Sequence, residues 1–237
     1  MKLFFIRYLK KTYTALRLDL VFGIFSGFFA NMYYLTKFSK WARQHSKLAY
    51  NDFPSKWSYD KRYPMYKWVI DNENLSEAIN YIEFGVASGQ SFKWFLNENK
   101  HPGSRFYGFD TFDGLPEDWG PYKKGAFSTN NNVPEINDAR GLFYRGLFQQ
   151  TLPGFLKEID NTKRNVLMMD ADLYSATLYA LTTLAPCLKK GDIIFFDEFA
   201  VPTHEFKAFS DFTQSYYINL ELIAAASNYY FVAFKVL

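Results

Sequence analysis

Four short apolar runs in this chain each stop on a glycine or a carboxylate. Tyr81–Val86 reads YIEFGV and Arg105–Asp110 reads RFYGFD; Asn165–Met169 runs into Asp170, and Asp192–Phe196 into Asp197. Apolar runs of this length, bounded by turn signals, read as buried strands. Helix-period segments lie between and after them: Tyr66–Ile70, Ser91–Asn99 with Phe92, Phe95 and Leu96 on one face, Ala176–Leu188 and His204–Tyr217. Gly141–Phe148 is a further strand candidate, and Ile218–Ala224 with Tyr229–Val236 closes the chain as a hairpin. Strands alternating with helices imply a parallel sheet covered on both faces, and the hairpin adds one antiparallel strand. The expected class is therefore α/β. Apolar residues make up 49% of the 237, which supports a packed core. A single cysteine, Cys187, excludes a disulfide framework and a cysteine-rich zinc site.

The charge is unevenly placed. Residues 1–47 carry nine basic side chains and one acid, Asp19, for a net +8, and the remaining 190 residues carry −5. The expected organisation is a basic, aromatic-rich helical extension and linker over residues 1–60, then one α/β domain over 61–237. In the extension, Leu20–Ala30 is apolar apart from Gly23, Ser26 and Gly27. A spanning helix needs about 20 predominantly apolar residues, and extending this run admits Asp19 or Asn31. Four readings stay open: a helical cap on the domain, a peripheral membrane contact through residues 1–47, a signal peptide, and a spanning helix. Nucleic acid is not expected, because the basic residues are dispersed among bulky aliphatics and match no nucleic-acid motif. The expected location is cytoplasmic, at the inner face of a membrane if the extension binds one. An oligomer is left open.

Thr111–Arg140 has no clear period and is rich in glycine, proline and asparagine. Loops of this length are commonly functional lids, and this one follows the second strand, at the ligand end of such a sheet. Trp119, Tyr122, Lys123 and Lys124 are its candidate ligand contacts.

Ligands of open α/β sheets bind beyond the carboxyl ends of the strands, where four polar clusters fall. In Glu83–Ser91 (EFGVASGQS), Gly85 is expected to let a ligand approach the backbone, and Gly89 to open a helix whose free amides favour a negative group. The spacing is neither G-x-G-x-x-G nor a P-loop. Asp110 ends the second strand, where a carboxylate suits a ribose diol. Asp170-Ala171-Asp172 and Asp197-Glu198 follow two apolar strands. Carboxylates at such mouths are costly unless paired or metal-bound. Oxygen ligands without Cys or His point to a hard ion, Mg²⁺ first, with Mn²⁺ or Ca²⁺ as alternatives.

Taken together, YIEFGVASGQS, YGFDTFDGLPEDW, GLFQQTLPGFL, MMDADLYSATLYAL and GDIIFFDEF resemble a class I S-adenosylmethionine-dependent methyltransferase, more narrowly the macrocin O-methyltransferase family. These segments span residues 81–199 in family order. The resemblance implies a Rossmann-like seven-stranded, mostly parallel sheet with helices on both faces. It implies a cofactor loop of Glu83, Gly85, Val86, Ala87, Ser88, Gly89 and Ser91, with Asp110 on the ribose and Thr111 and Phe112 near the adenine. Asp170, Asp197 and Glu198 match the family's metal positions, with Glu198 standing where an aspartate is usual. The implied reaction is metal-assisted methylation of a hydroxyl, on a sugar or other small-molecule or glycan acceptor, with Asp170 or Asp172 as general base. Two alternatives use the same residues. One is a metal-dependent glycosyltransferase holding its nucleotide sugar through Asp170 and Asp172. The other is a methyltransferase-like, membrane-associated scaffold without catalysis.

Overall fold

A computed structural model describes residues 2–237. Its frame is one eight-stranded sheet made of β1 (Tyr50–Asn51), β2 (Ile79–Phe84), β3 (Arg105–Asp110), β4 (Gly141–Arg145), β5 (Arg164–Met169), β6 (Ile193–Phe196), β7 (Leu220–Ala226) and β8 (Phe231–Val236). The strands lie in the order β1-β7-β8-β6-β5-β2-β3-β4. Only β8 runs against its neighbours, pairing antiparallel with both β6 and β7. The eighth strand is the two-residue β1, which pairs parallel with β7 and comes from a stretch that carries no strand pattern.

Helices α4 (Arg62–Asn72), α5 (Gln90–Glu98), α6 (Phe148–Phe155), α7 (Tyr174–Leu184) and α8 (Glu205–Tyr216) cover the sheet. Alternate residues of one strand point to opposite faces, which divides the core in two. Ile82, Phe84, Leu167, Met169, Ile194 and Phe196 pack on one side, against α6, α7 and α8. Tyr81, Val166, Met168, Ile193 and Phe195 pack on the other, against α4 and α5. All six residues of β2 are buried, as a central strand covered on both faces requires. Helix α4 is longer than the expected Tyr66–Ile70 because Pro64 falls in its first turn, where a missing N–H costs no helical bond. The periodic pattern did not reveal α6, which also tolerates Pro153.

The extension forms α1 (Lys2–Ala15), α2 (Asp19–Phe22) and α3 (Ser26–Gln44), with a 3₁₀ turn over Gly23–Phe25. Only the end of α3 joins the core: Phe38 and Trp41 pack on it, with the Trp41 ring centroid 4.9 Å from that of Phe199. The cap reading therefore holds for the last turns of α3 and not for α1 or α2, which bury no residue.

Strands β2, β3 and β4 step outward in one direction, and β5 and β6 return on the other side of β2. The carboxyl ends of β2 and β5 thus flank the point where the strand order reverses, the place in such sheets where a crevice opens.

Candidate functional site

A cavity of about 430 Å³ occupies that crevice, within the roughly 300–1,000 Å³ typical of small-molecule sites. One wall is the backbone of Gly85, Val86 and Ala87 with Asp110 and Thr111. Opposite stand Asp170, Asp172 and Glu198, and the rest is largely apolar: Leu115, Pro116, Phe127, Leu147, Phe148 and Ala176.

Asp110 braces the first wall. Its Oδ2 accepts the amides of Val86 and Ala87, both at 2.8 Å, and its Oδ1 accepts the Phe112 amide at 2.7 Å. A carboxylate has about four lone-pair sites, so one acceptor position remains for a donor in the cavity. The bracing also ties the end of β3 to the turn after β2, which fixes where a diol could sit.

The glycine turn is built differently from expectation. A Cβ on Gly85 would lie 1.7 Å from the Asp170 carbonyl oxygen, and the residue has φ +92°. Gly85 is therefore needed chiefly because the β2 and β5 exits touch there, and its backbone lines the cavity. A Cβ on Gly89 would meet Pro134 of the loop at 2.9 Å, again at positive φ. Five expected cofactor residues, Glu83, Ser88, Gly89, Ser91 and Phe112, do not line the cavity. Glu83 is fully buried and accepts from Tyr81 Oη at 2.5 Å and Ser91 Oγ at 2.7 Å. Glu83 and Ser91 thus clamp α5 to β2 beneath the turn. Burial pushes the Glu83 carboxyl up to about 8, against the smaller opposing effect of those two donors. Phe112 is buried in the core against Phe143, and Ser88 is exposed outside the cavity.

Asp170 and Asp172 follow β5, and Asp172 reaches its position through a positive φ of 59°. Burial first, then the neighbouring charge of Asp197, pushes the Asp170 carboxyl well above the usual carboxylate range. Asp172 and Glu198 face each other across the cavity wall, and both are raised, chiefly by burial. Glu198 is the further raised of the two because the Asp172 charge adds to its burial. Tyr230 Oη donates to Glu198 Oε1 at 3.1 Å, while Glu198 Oε2 is buried without a partner.

The metal expectation is corrected at Asp197. Its carboxylate is fully buried on the α4 side of the sheet and does not line the cavity. Arg62 Nη1 binds its Oδ2 at 2.9 Å, Tyr59 Oη donates to the same oxygen at 3.0 Å, and Tyr66 Oη donates to Oδ1. A guanidinium already supplies the positive charge a metal would bring. Asp170, Asp197 and Glu198 therefore do not converge on one point, and no group of three acidic, His or Cys side chains fit for a metal occurs among the described residues.

The loop from Thr111 to Arg140 is a folded lid. Leu115 N donates to Ala126 O at 2.9 Å, and Trp119 and Tyr122 exchange backbone bonds at 2.8 Å. Leu115 and Trp119 pack on Leu173, and Ser175 Oγ donates to Glu117 Oε1 at 2.6 Å, fastening the lid to the start of α7. Trp119 is buried in that contact and Lys123 is paired with Asp118 on the surface, so neither reaches the cavity; nor does Tyr122, whose ring stacks on Trp119. His204 caps α8 outside the cavity, and burial lowers its imidazole. Sequence reasoning missed Tyr59 and Arg62, which lie in an aperiodic polar stretch, and Leu147, Phe148 and Gln149, which enter the cavity from the start of α6.

Residues 82–199 match the family model described as "Methyltransferase domain". Similar solved structures include CalS11, a calicheamicin methyltransferase, at 22% identity and a TM-score of 0.56, covering 73% of this chain and 76% of that one. The O-methyltransferase NovP is 23% identical with a TM-score of 0.56, covering 75% and 78%. An apo structure of CalS11, described as a TDP-rhamnose 3'-O-methyltransferase, is 21% identical with a TM-score of 0.50, covering 74% and 81%. At these identities the likeness establishes the fold. No curated protein matches the chain.

Proposed function

We propose that this chain, whose residues 82–199 match a family model described as "Methyltransferase domain", transfers a methyl group from S-adenosylmethionine to a hydroxyl of a sugar or glycoconjugate. The observation that carries this reading is the pairing, across one cavity, of a ribose-suited carboxylate, Asp110, with the carboxyl group Asp172. In the proposed complex the remaining acceptor position of Asp110 takes one ribose hydroxyl, and the backbone of Gly85–Ala87 with Thr111 lines the nucleoside. The sulfonium then faces Asp170 and Asp172. The acceptor oxygen attacks the methyl carbon, the carbon–sulfur bond breaks, and its electron pair stays on sulfur as a neutral thioether. The hydroxyl proton passes to Asp172, beside which Glu198 stands with its carboxyl raised chiefly by burial. The apolar walls and the lid exclude water, and positioning supplies much of the rate.

Support for a sugar acceptor comes from the fold shared with CalS11 and NovP and from the sequence resemblance to macrocin O-methyltransferases. Calorimetry on the full chain tests the cofactor: S-adenosylmethionine is expected to bind, and Asp110→Asn to weaken it about tenfold or more. Binding of UDP- or GDP-sugars in its place would overturn the reading in favour of a glycosyltransferase, and binding of neither would remove both. Mg²⁺ remains an expectation from the resemblance. Turnover assayed with Mg²⁺ and with EDTA tests it: an EDTA-sensitive rate would return a metal to the reaction and require Asp197 to leave Arg62.

A further inference from the structure

Among the described residues, large apolar side chains are exposed at 29 positions, and 18 of them fall between Leu3 and Leu35. Phe4 is 78% exposed, Ile24 80%, Leu20 66% and Phe28 63%. Helices α1, α2 and α3 bury no residue, and the first hydrogen bond from this region to the domain, among the described residues, is Lys37 Nζ to Ser210 Oγ. An apolar surface of this extent signals a partner.

The arrangement of charge names its chemistry. On α1, Arg7, Lys10, Lys11 and Thr14 recur at i, i+3, i+4 and i+7 and share one side. Phe5, Leu9 and Tyr13, with Ile6, occupy the other. From Leu20 to Thr36 no residue is charged, and basic residues resume at Lys37, Lys40 and Arg43. A layer of aromatic and aliphatic side chains thus lies beside a layer of cations. That sequence of layers mirrors an anionic lipid surface, where acyl chains lie under negative headgroups. Among the described residues, no single helix is long and apolar enough to cross a membrane. The stretch that comes nearest bends by 78° between α1 and the segment Asp19–Gln44 and is broken by the 3₁₀ turn at Gly23–Phe25.

We propose that residues 2–36 are an in-plane anchor. The apolar side of α1 and the uncharged stretch Leu20–Thr36 enter one leaflet of an anionic membrane, and Arg7, Lys10 and Lys11 bind its headgroups. The anchor carries the catalytic domain through α3, whose last turns are fixed by Phe38 and Trp41.

Sedimentation of the full chain with vesicles tests this. Vesicles of phosphatidylcholine with phosphatidylglycerol are expected to pellet it, and vesicles of phosphatidylcholine alone to pellet at least about tenfold less. The full-length variant R7E/K10E/K11E should lose about 100-fold in apparent affinity, since each basic residue near such a surface contributes about a factor of five. Its thermal midpoint should be unchanged, because α1 is not part of the core. Alkaline carbonate should release the bound protein. Equal pelleting of wild type and the triple variant would overturn the proposal. So would no pelleting together with a defined oligomer in solution, which would assign the surface to a second copy. Retention after carbonate would also overturn it, in favour of a spanning segment.

Discussion

Three carboxyl groups show how much the surroundings decide for one residue type. Asp110 is held open by backbone amides, Asp197 is neutralised by Arg62, and Asp172 is confined beside Glu198. Each gives a different expected outcome. Asp172→Asn should lower turnover about 10²–10⁴-fold while leaving cofactor affinity within a few fold; unchanged turnover would move the proton step elsewhere. Asp197→Asn should cost about 3–5 kcal/mol of stability, because it strands the buried Arg62 guanidinium. Thermal melting reads that loss, and a melt like wild type would show that the pair is not holding α4 to β6. Glu83 supplies a pH dependence. Its carboxyl rises from an ordinary value near 4.5 when unfolded to about 8 when folded. The folded state therefore keeps a proton that the unfolded chain has lost across that window. The stabilisation is complete below the unfolded value and is lost as pH rises toward 8. The melting temperature should fall between pH 5 and pH 8.5, and Glu83→Gln should flatten that decline. The residue types at all these positions are legible in the sequence. Their partners are not: Arg62 lies 135 positions from Asp197 and Tyr59 lies 138 positions away, in a stretch with no pattern.

Elements were legible where burial imposed a period. The central strands and α5, α7 and α8 fall within a few residues of expectation because their apolar faces are set by the sheet. Helix α6 and strand β1 escaped notice for opposite reasons: α6 contains Pro153 and Gly154, and β1 is two residues long. The turn after β2 was correctly placed, but its glycine has a structural cause. Gly85→Ala should therefore lower the thermal midpoint by several degrees, because a Cβ meets the Asp170 carbonyl. A variant with an unchanged midpoint and lost cofactor binding would restore the view that Gly85 clears space for the ligand. The lid makes a related point. A 30-residue aperiodic segment folds through its own backbone bonds and packs Leu115 and Trp119 on Leu173. Trp119→Ala should raise KM for the acceptor more than for the cofactor, since the residue holds the lid down without touching the cavity.

At the scale of the whole molecule, the charge division read from the composition corresponds to two environments. The acidic part holds the cavity and its carboxyl groups, and the basic part holds most of the exposed apolar surface. The alternation of apolar runs, the residues at their ends and the leader's composition belong to the sequence alone. They suffice for an α/β sheet with polar groups at its carboxyl edge, because strand burial and the ends of strands are local properties of the chain. Only the tertiary structure decided which carboxylates share a cavity and which is sealed beneath it. Asp197 and Glu198 are adjacent in sequence, yet successive side chains leave the strand end on opposite faces. One meets Arg62 and Tyr66 of α4, and the other meets the cavity. That choice depends on what each face packs against, and this is settled by long-range contacts that no local pattern encodes.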